Sequence, residues 1–442
     1  MWKQNRRRNE GSTTSPMSSR LDSWASVLDR AITRERLWMY PLAALILSIV
    51  VYGGSLLLGD YPHLAGGAVA FPDYLAHWTG GRMLVDGSTA DLFDPRVQGA
   101  LQAQEVGPDS LSWFVSPPFA ALIYAPFALI GFGPSALVWT AFSAACLVVS
   151  IRLMKPFAPQ LFERHFTQVV IIMASTPPMI ELIGSGQDSA LALLIWLAGI
   201  RLILAGNNVA AGIVFALGLF KPQQFVLVPI VLLIQRRFAA LGAWFATASV
   251  LTLTSVAIVG ADGVVAWVKL PFSDFYTTVV QVEQGWKMQS LPALVTTAFP
   301  DSWSGVASPI SLLIVLGATL VFAQQLLNGR QNKTPDISIW ALSIMVTVVI
   351  SPHLVLYDLV LVFVPIVYMI EHHNTRALRL SCVALFVLTW TVPLRHVLVR
   401  DAQWPLTLIE AAWTAIPLLI LWIVLSNALG VRRNPAPVLP RP

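Results

Sequence analysis

Residues 40–59 read YPLAALILSIVVYGGSLLLG, a run with no charged side chain. At the rise of an α-helix, about 20 such residues cross the hydrocarbon layer of a bilayer. Comparable apolar blocks recur at roughly 116–132, 134–152, 168–185, 188–205, 208–235, 238–260, 306–326, 336–352, 354–371, 378–397 and 405–427. Hydrophobic residues make up 56% of the 442 positions and charged residues 12%, where a soluble domain carries about 25% charged residues. So little polar surface cannot cover a soluble core of this length. The expected class is therefore an all-α polytopic membrane protein of about twelve transmembrane helices, with no short-period repeat that would suggest a solenoid.

The formal charge of +5 does not point to nucleic acid. Lys and Arg cluster at the N-terminus, including Arg6-Arg7-Arg8, and in short loops between apolar blocks, where they carry insertion information. With the N-terminus inside, residues 60–115 fall outside, and there Asp60, Asp73, Asp86, Asp91, Asp94, Glu105 and Asp109 outnumber Arg82 and Arg96. The same alternation puts Arg236-Arg237, Arg330 with Lys333, Arg376 with Arg379, and Arg432-Arg433 inside. Arg152, Lys155 and Arg164 run against it, and Lys221-Pro222 could divide the long block 208–235 into two half-helices.

No cleavable signal is expected at the start; residues 1–37 read as a disordered cytoplasmic tail before an anchor helix, and 431–442 as a short cytoplasmic tail. Between them, 38–430 form one membrane domain. Cys146 and Cys382 both lie in apolar blocks and suggest packing rather than a disulfide or metal site.

Two loops, 60–115 and 261–305, are too long to be connectors. Tyr74–Leu84 and Trp267–Tyr276 mix aromatic, apolar and polar residues, so both are expected as interfacial helices with Trp78 and Trp267 at headgroup depth. Such loops either roof a cavity where a polar substrate meets lipid or merely decorate the surface.

Ionisable groups at membrane depth need a reason. Asp73, in Phe71-Pro72-Asp73-Tyr74, either caps the helix that follows or reacts. Glu181 follows Pro177-Pro178, and Gln187-Asp188 follow two glycines, where Gln187 either binds a ligand or satisfies loose backbone groups. Lys221 either snorkels to the surface or faces a polar cavity suited to an anion. His353 is either a satisfied histidine at a helix end or a ligand-binding group, and Asp358, one turn into the next span, is expected to orient a neighbour or cap a broken helix rather than react.

Taken in order, Phe71-Pro72-Asp73-Tyr74, Ser116-Pro117-Pro118, Gly186-Gln187-Asp188, the run from Ala211 to Lys221-Pro222, Gln289-Ser290-Leu291, and Ser351-Pro352-His353 with Tyr357-Asp358 resemble glycosyltransferase family 87 over about residues 40–370. Two departures are Asp188, where Asn is commoner, and Met288, where Asn is expected before Gln289. The resemblance implies a GT-C fold and transfer of a sugar, mannose or another hexose or pentose, from a polyprenyl-phosphate carrier to a hydroxyl of an envelope glycolipid or polysaccharide.

It also implies that Asp73, the matching acid of the first external loop, is the base, and that His353 lies near the donor phosphate. Lys221 and Gln187 match family positions and are expected to help bind that phosphate, with Tyr74, His77, Gln289, Ser290, Tyr357 and Asp358 as substrate-cavity candidates. Direct displacement would invert the anomeric centre. No nucleotide diphosphate needs neutralising, so neither a metal nor another cofactor is expected. The implied setting is a bacterial plasma membrane with the site facing the exterior or periplasm. A secondary transporter or lipid-linked sugar flippase is the alternative, though such proteins usually show inverted repeats and short loops.

Overall fold

The computed structural model describes residues 33, 35–108, 111–280, 284–400 and 402–431. Most of both expected tails, Arg432-Arg433 and Asp109 lie outside the described residues. Among the described residues the chain is helical, and its only extended pairings are two isolated bridges.

The principal helices are α1 Arg36–Leu58, α2 Pro72–Val85, α3 Pro95–Val106, α4 Phe132–Met154, α5 Pro159–Ala174, α6 Pro177–Ser185, α7 Ser189–Leu204 and α8 Asn208–Leu217. They continue as α9 Val228–Ile234, α10 Phe238–Lys269, α11 Leu291–Ala298, α12 Ser304–Gln331, α13 Asp336–Ile350, α14 Phe363–His372, α15 Arg376–Val399 and α16 Ala415–Val431. Among the described residues, α1, α4, α10, α12 and α15 are long and apolar enough to cross a membrane. Leu57, Leu320 and Val397 on these helices are more than 70% exposed, a surface that suits lipid as solvent. From Ser338 to Ile350, by contrast, α13 is buried throughout, and forms the centre of the bundle.

The twelve apolar blocks do not each become a helix of membrane length. Prolines and glycines divide several of them. Block 116–132 contains only the turn Pro118–Ala120 and the four-residue helix Ala121–Tyr124 before α4. Block 168–185 spans α5 and α6, which meet at a 61° bend and together could make a sixth span. Block 208–235 breaks at Lys221-Pro222, as its proline suggests: α8 ends in a 3-10 turn, and Pro222–Phe225 starts anew. Block 354–371 opens as the 3-10 segment Leu356–Val362.

The expected interfacial position of Trp78 is corrected. Helix α2 exists, but Trp78 is 1% exposed and its indole N–H donates to the Ile130 carbonyl at 3.0 Å. Small residues draw α2 into the core: a Cβ on Gly81 would lie 2.7 Å from the Tyr124 backbone. The segment from Trp267 is likewise no separate helix. It prolongs α10 past a kink at Gly260, and Trp267 donates to the Val115 carbonyl at 3.1 Å.

Capping explains where several helices begin. The Asp94 side chain accepts from the Arg96 amide at 2.9 Å to start α3, and Glu105 accepts from the Phe132 amide at 3.0 Å to start α4. Glu371 reaches across to the amides of Gln160 and Leu161, at 3.0 and 2.9 Å, to start α5. These carboxylates satisfy the free N–H groups of helix N-termini.

Candidate active site

Asp73 is the second residue of α2, a normal capping neighbourhood, yet it has no such use. The Phe71 residue before the helix stands in the left-handed region at φ 56°, ψ 50°, a conformation costing a non-glycine residue about 1–3 kcal/mol. Packing holds it: Phe71 is buried and meets Tyr52 edge-on, with ring centroids 6.1 Å apart. The Asp73 side chain is 9% exposed, and its Oδ2 is buried with no hydrogen-bond partner. An unsatisfied buried acceptor costs about 1–3 kcal/mol. The carboxylate lies within electrostatic reach of His77, Glu181, Lys287 and Tyr357.

Gly186 seats this segment. At φ 74° it turns the chain from α6 into α7, and a Cβ there would lie 2.6 Å from the Tyr74 Cβ. Its carbonyl accepts from the Trp139 indole at 2.8 Å. Tyr74 itself stacks on Trp139 and bonds to Ser135 Oγ at 2.6 Å, so it packs the back of α2 rather than offering its hydroxyl to a ligand.

Behind Asp73 lies a buried ion cluster. The Lys221 ammonium stands 2.7 Å from Asp188 Oδ1, an ion contact, and donates to Asp358 Oδ1 and Ser189 Oγ, each at 2.8 Å. Gln187 Oε1 is a more distant fourth oxygen, at 3.4 Å. Ser189 donates to Asp358 Oδ1 at 2.6 Å, Tyr124 donates to Asp188 Oδ2 at 2.6 Å, and Gln187 donates to the Tyr357 hydroxyl at 3.0 Å. The breaks at Gly186, at Lys221-Pro222 and ahead of Leu356 thus deliver Gln187, Asp188, Lys221, Tyr357 and Asp358 to one place. Lys221 is buried here and does not snorkel.

His77 connects the two regions. One turn beyond Asp73, it stacks on Tyr124 at 4.5 Å, with Nε2 3.7 Å from Asp188 Oδ2. Neither ring nitrogen has a hydrogen-bond partner. His353 is partly exposed, and Ser351 Oγ donates to its carbonyl at 3.1 Å.

The second long loop is stitched to the His353 segment. Met288 and Val355 form an antiparallel bridge, and the Gln289 amide donates to the Leu354 carbonyl at 2.8 Å. Gln289 Oε1 accepts from Thr414 at 2.6 Å, and Ser290 caps α11 through the Ala293 amide at 3.2 Å. Both side chains therefore fasten the loop.

A cleft of about 410 Å³ opens beside the start of α2. Tyr52, Val69, Pro72, Leu356, Trp390 and Pro393 give it apolar walls, and among the described residues Glu181 is its one charged lining residue. Glu181 pairs with Lys287 at 2.7 Å. Reading the sequence did not single out Lys287, Tyr124, Ser189 or Thr414. One signal was available for Lys287: it is the only lysine or arginine between residues 270 and 329.

No curated protein matches the chain. A family model described as glycosyltransferase family 87 matches residues 114–352, which is more than half of the 442 positions. The matched stretch holds Gln187, Asp188, Lys221, Gln289 and Ser290, and the fold brings Asp73 and His353 to it from either side. On that match, the chain belongs to glycosyltransferase family 87 and is a glycosyltransferase.

Proposed function

We propose that the protein is a GT-C-type enzyme that transfers a sugar from a polyprenyl-phosphate carrier to a hydroxyl of an envelope glycolipid or polysaccharide, on the exterior face of a bacterial plasma membrane. The orientation is supported by the excess of acids in 60–115 and of bases in the alternate loops. Family membership favours this enzyme over a transporter.

The observation that carries the reading is the unpartnered, buried oxygen of Asp73 beside an apolar cleft. A carboxylate held at an energetic cost, without a structural bond, is suited to take a proton. In the proposed step the acceptor hydroxyl gives its proton to Asp73 as its oxygen attacks the anomeric carbon. The bond from that carbon to the phosphate oxygen breaks, inverting the centre and releasing polyprenyl phosphate. General-base assistance of this kind contributes about 10²–10⁴ in rate.

His353 is assigned to the phosphate, where a fixed donor stabilises the charge that grows on the leaving group. His77, stacked on Tyr124 and 3.7 Å from Asp188, is assigned to the wall between Asp73 and the ion cluster. The buried ion cluster gives Lys221, Gln187, Tyr357 and Asp358 a shared part: with two carboxylates round one ammonium, they set the floor that positions Asp188 and His77. Because the leaving group is a monophosphate, transfer is expected to continue in the presence of a chelator.

The test uses purified protein with polyprenyl-phosphate sugars and an envelope-lipid acceptor. Asp73→Asn is expected to cut transfer by about 10²–10⁴ while donor binding persists. Full activity in that variant would remove Asp73 as the base. Solute flux without turnover of any carrier-linked sugar would overturn the enzyme reading.

A further inference from the structure

Of the two lysines near the cleft, Lys221 has no proton to spare: its three N–H groups face Asp188, Asp358 and Ser189 at 2.7–2.8 Å. Lys287 differs. Among the described residues its one ion-pair partner is Glu181, which lines the cleft; the Lys287 ammonium lies over the Trp286 ring at 5.1 Å, and the Lys287 and Glu181 side chains are 20% and 17% exposed. An ammonium carries three donors, so two remain for a ligand.

The mounting of Lys287 is firm. Its neighbour Trp286 stacks on His396 at 4.3 Å, and His396 is held by Glu410 at 2.7 Å. On the other side, Met288 bridges to Val355. The register of that bridge sets Lys287 across from Leu356, a wall of the cleft. The ammonium is therefore carried on the same paired backbone as His353 and lies within electrostatic reach of Asp73.

We infer that Lys287 is a phosphate ligand of the donor lipid, and that Glu181 occupies its ammonium until a lipid phosphate displaces it. This rests on the proposed use of a polyprenyl-phosphate donor. A phosphodiester donor brings one negative charge and the released polyprenyl phosphate up to two, so Lys287 binds more strongly as the bond to the sugar breaks. That is the differential stabilisation which accelerates a reaction. Glu181 competes with the same ammonium and sets how tightly the carrier is held.

The experiment measures binding of a synthetic polyprenyl monophosphate to the full-length protein in nanodiscs, alongside donor and acceptor kinetics. Lys287→Gln is expected to weaken polyprenyl phosphate by about tenfold or more and to lower kcat/KM for the donor, with acceptor KM unchanged. Lys287→Arg should retain most of the affinity. Glu181→Gln should tighten binding, by up to about fivefold, because the competing carboxylate is gone. A purely structural ion pair would instead make Glu181→Gln and Lys287→Gln behave alike, with the phosphate affinity unmoved, and would overturn the inference. If Lys287→Gln fails to fold, Glu181→Gln decides alone: unchanged or weaker binding refutes the exchange. Wild-type protein that transfers sugar while these variants keep its phosphate affinity would sink only this inference. Wild-type protein that uses no polyprenyl-phosphate sugar would sink the donor reading itself.

Discussion

Lys221 and Lys287 both sit opposite carboxylates, but the two surroundings differ in count and access. Lys221 is enclosed by Asp188, Asp358 and Ser189 at 9% side-chain exposure, whereas Lys287, at 20%, has one carboxylate, Glu181, and the Trp286 ring. Removing one partner of a buried ion pair costs about 3–5 kcal/mol, while a pair near the surface contributes about 0–1 kcal/mol. The interior cluster thus holds helices in place, and the rim pair can exchange partners. A cation in a membrane protein is not by itself a ligand site; what matters is how many oxygens already hold it.

The strongest way to break that contrast is at the interior. Lys221→Met leaves Asp188 and Asp358 facing each other without a counterion and is expected to cost about 3–5 kcal/mol, read as loss of folded protein in detergent. A variant as heat-stable as the wild type would show that the cluster is not structural. Asp73→Asn acts in the opposite sense, removing turnover with little change in thermal stability, because Oδ2 has no bond to lose.

Gly186→Ala tests the joint between the two regions. A side chain at φ 74°, 2.6 Å from the Tyr74 Cβ, is expected to destabilise by about 1–3 kcal/mol and to slow transfer by displacing Asp73. Wild-type kinetics would mean that Asp73 is held some other way. The smallest effect is expected from Tyr52→Phe, which removes the bond from its hydroxyl to the Gly184 carbonyl at 2.7 Å. About 1 kcal/mol should be lost from the thermal unfolding free energy, with donor affinity shifted only as far as the cleft wall moves.

Much of the architecture was legible because membrane solvation imposes long apolar runs, and because Pro222 announces where a helix must break; the bend at Pro177-Pro178 falls inside 168–185, which the sequence reads as one span. Trp78 misled. A mixed aromatic helix looks interfacial until Gly80 and Gly81 are recognised as surfaces for Phe114 and Tyr124 to approach. The site was legible where polar residues interrupt apolar sequence, as at Gln187-Asp188 and Tyr357-Asp358. Which partner each would find was not legible. Glu181 and Lys287, and likewise Asp188 and Lys221, are separated by long stretches of chain, and nothing local encodes their meeting. The fate of Tyr74 was hidden similarly, since Ser135 and Trp139 are brought to it by α4.

The Met288–Val355 pairing has a consequence for how this enzyme tolerates changes in length. That pairing is a single bridge, and Lys287 stands in the turn immediately before it, so adding or deleting a residue between the two changes where the ammonium sits relative to the bridge. A residue inserted between Lys287 and Met288 is therefore expected to leave the apolar fold intact yet move the ammonium away from Glu181. Upstream of Trp286, the same insertion should be absorbed. Scanning single alanine insertions from 284 to 290 and assaying transfer at each should show the loss confined to the segment from Trp286 to the bridge, whose length is fixed by its contacts at both ends.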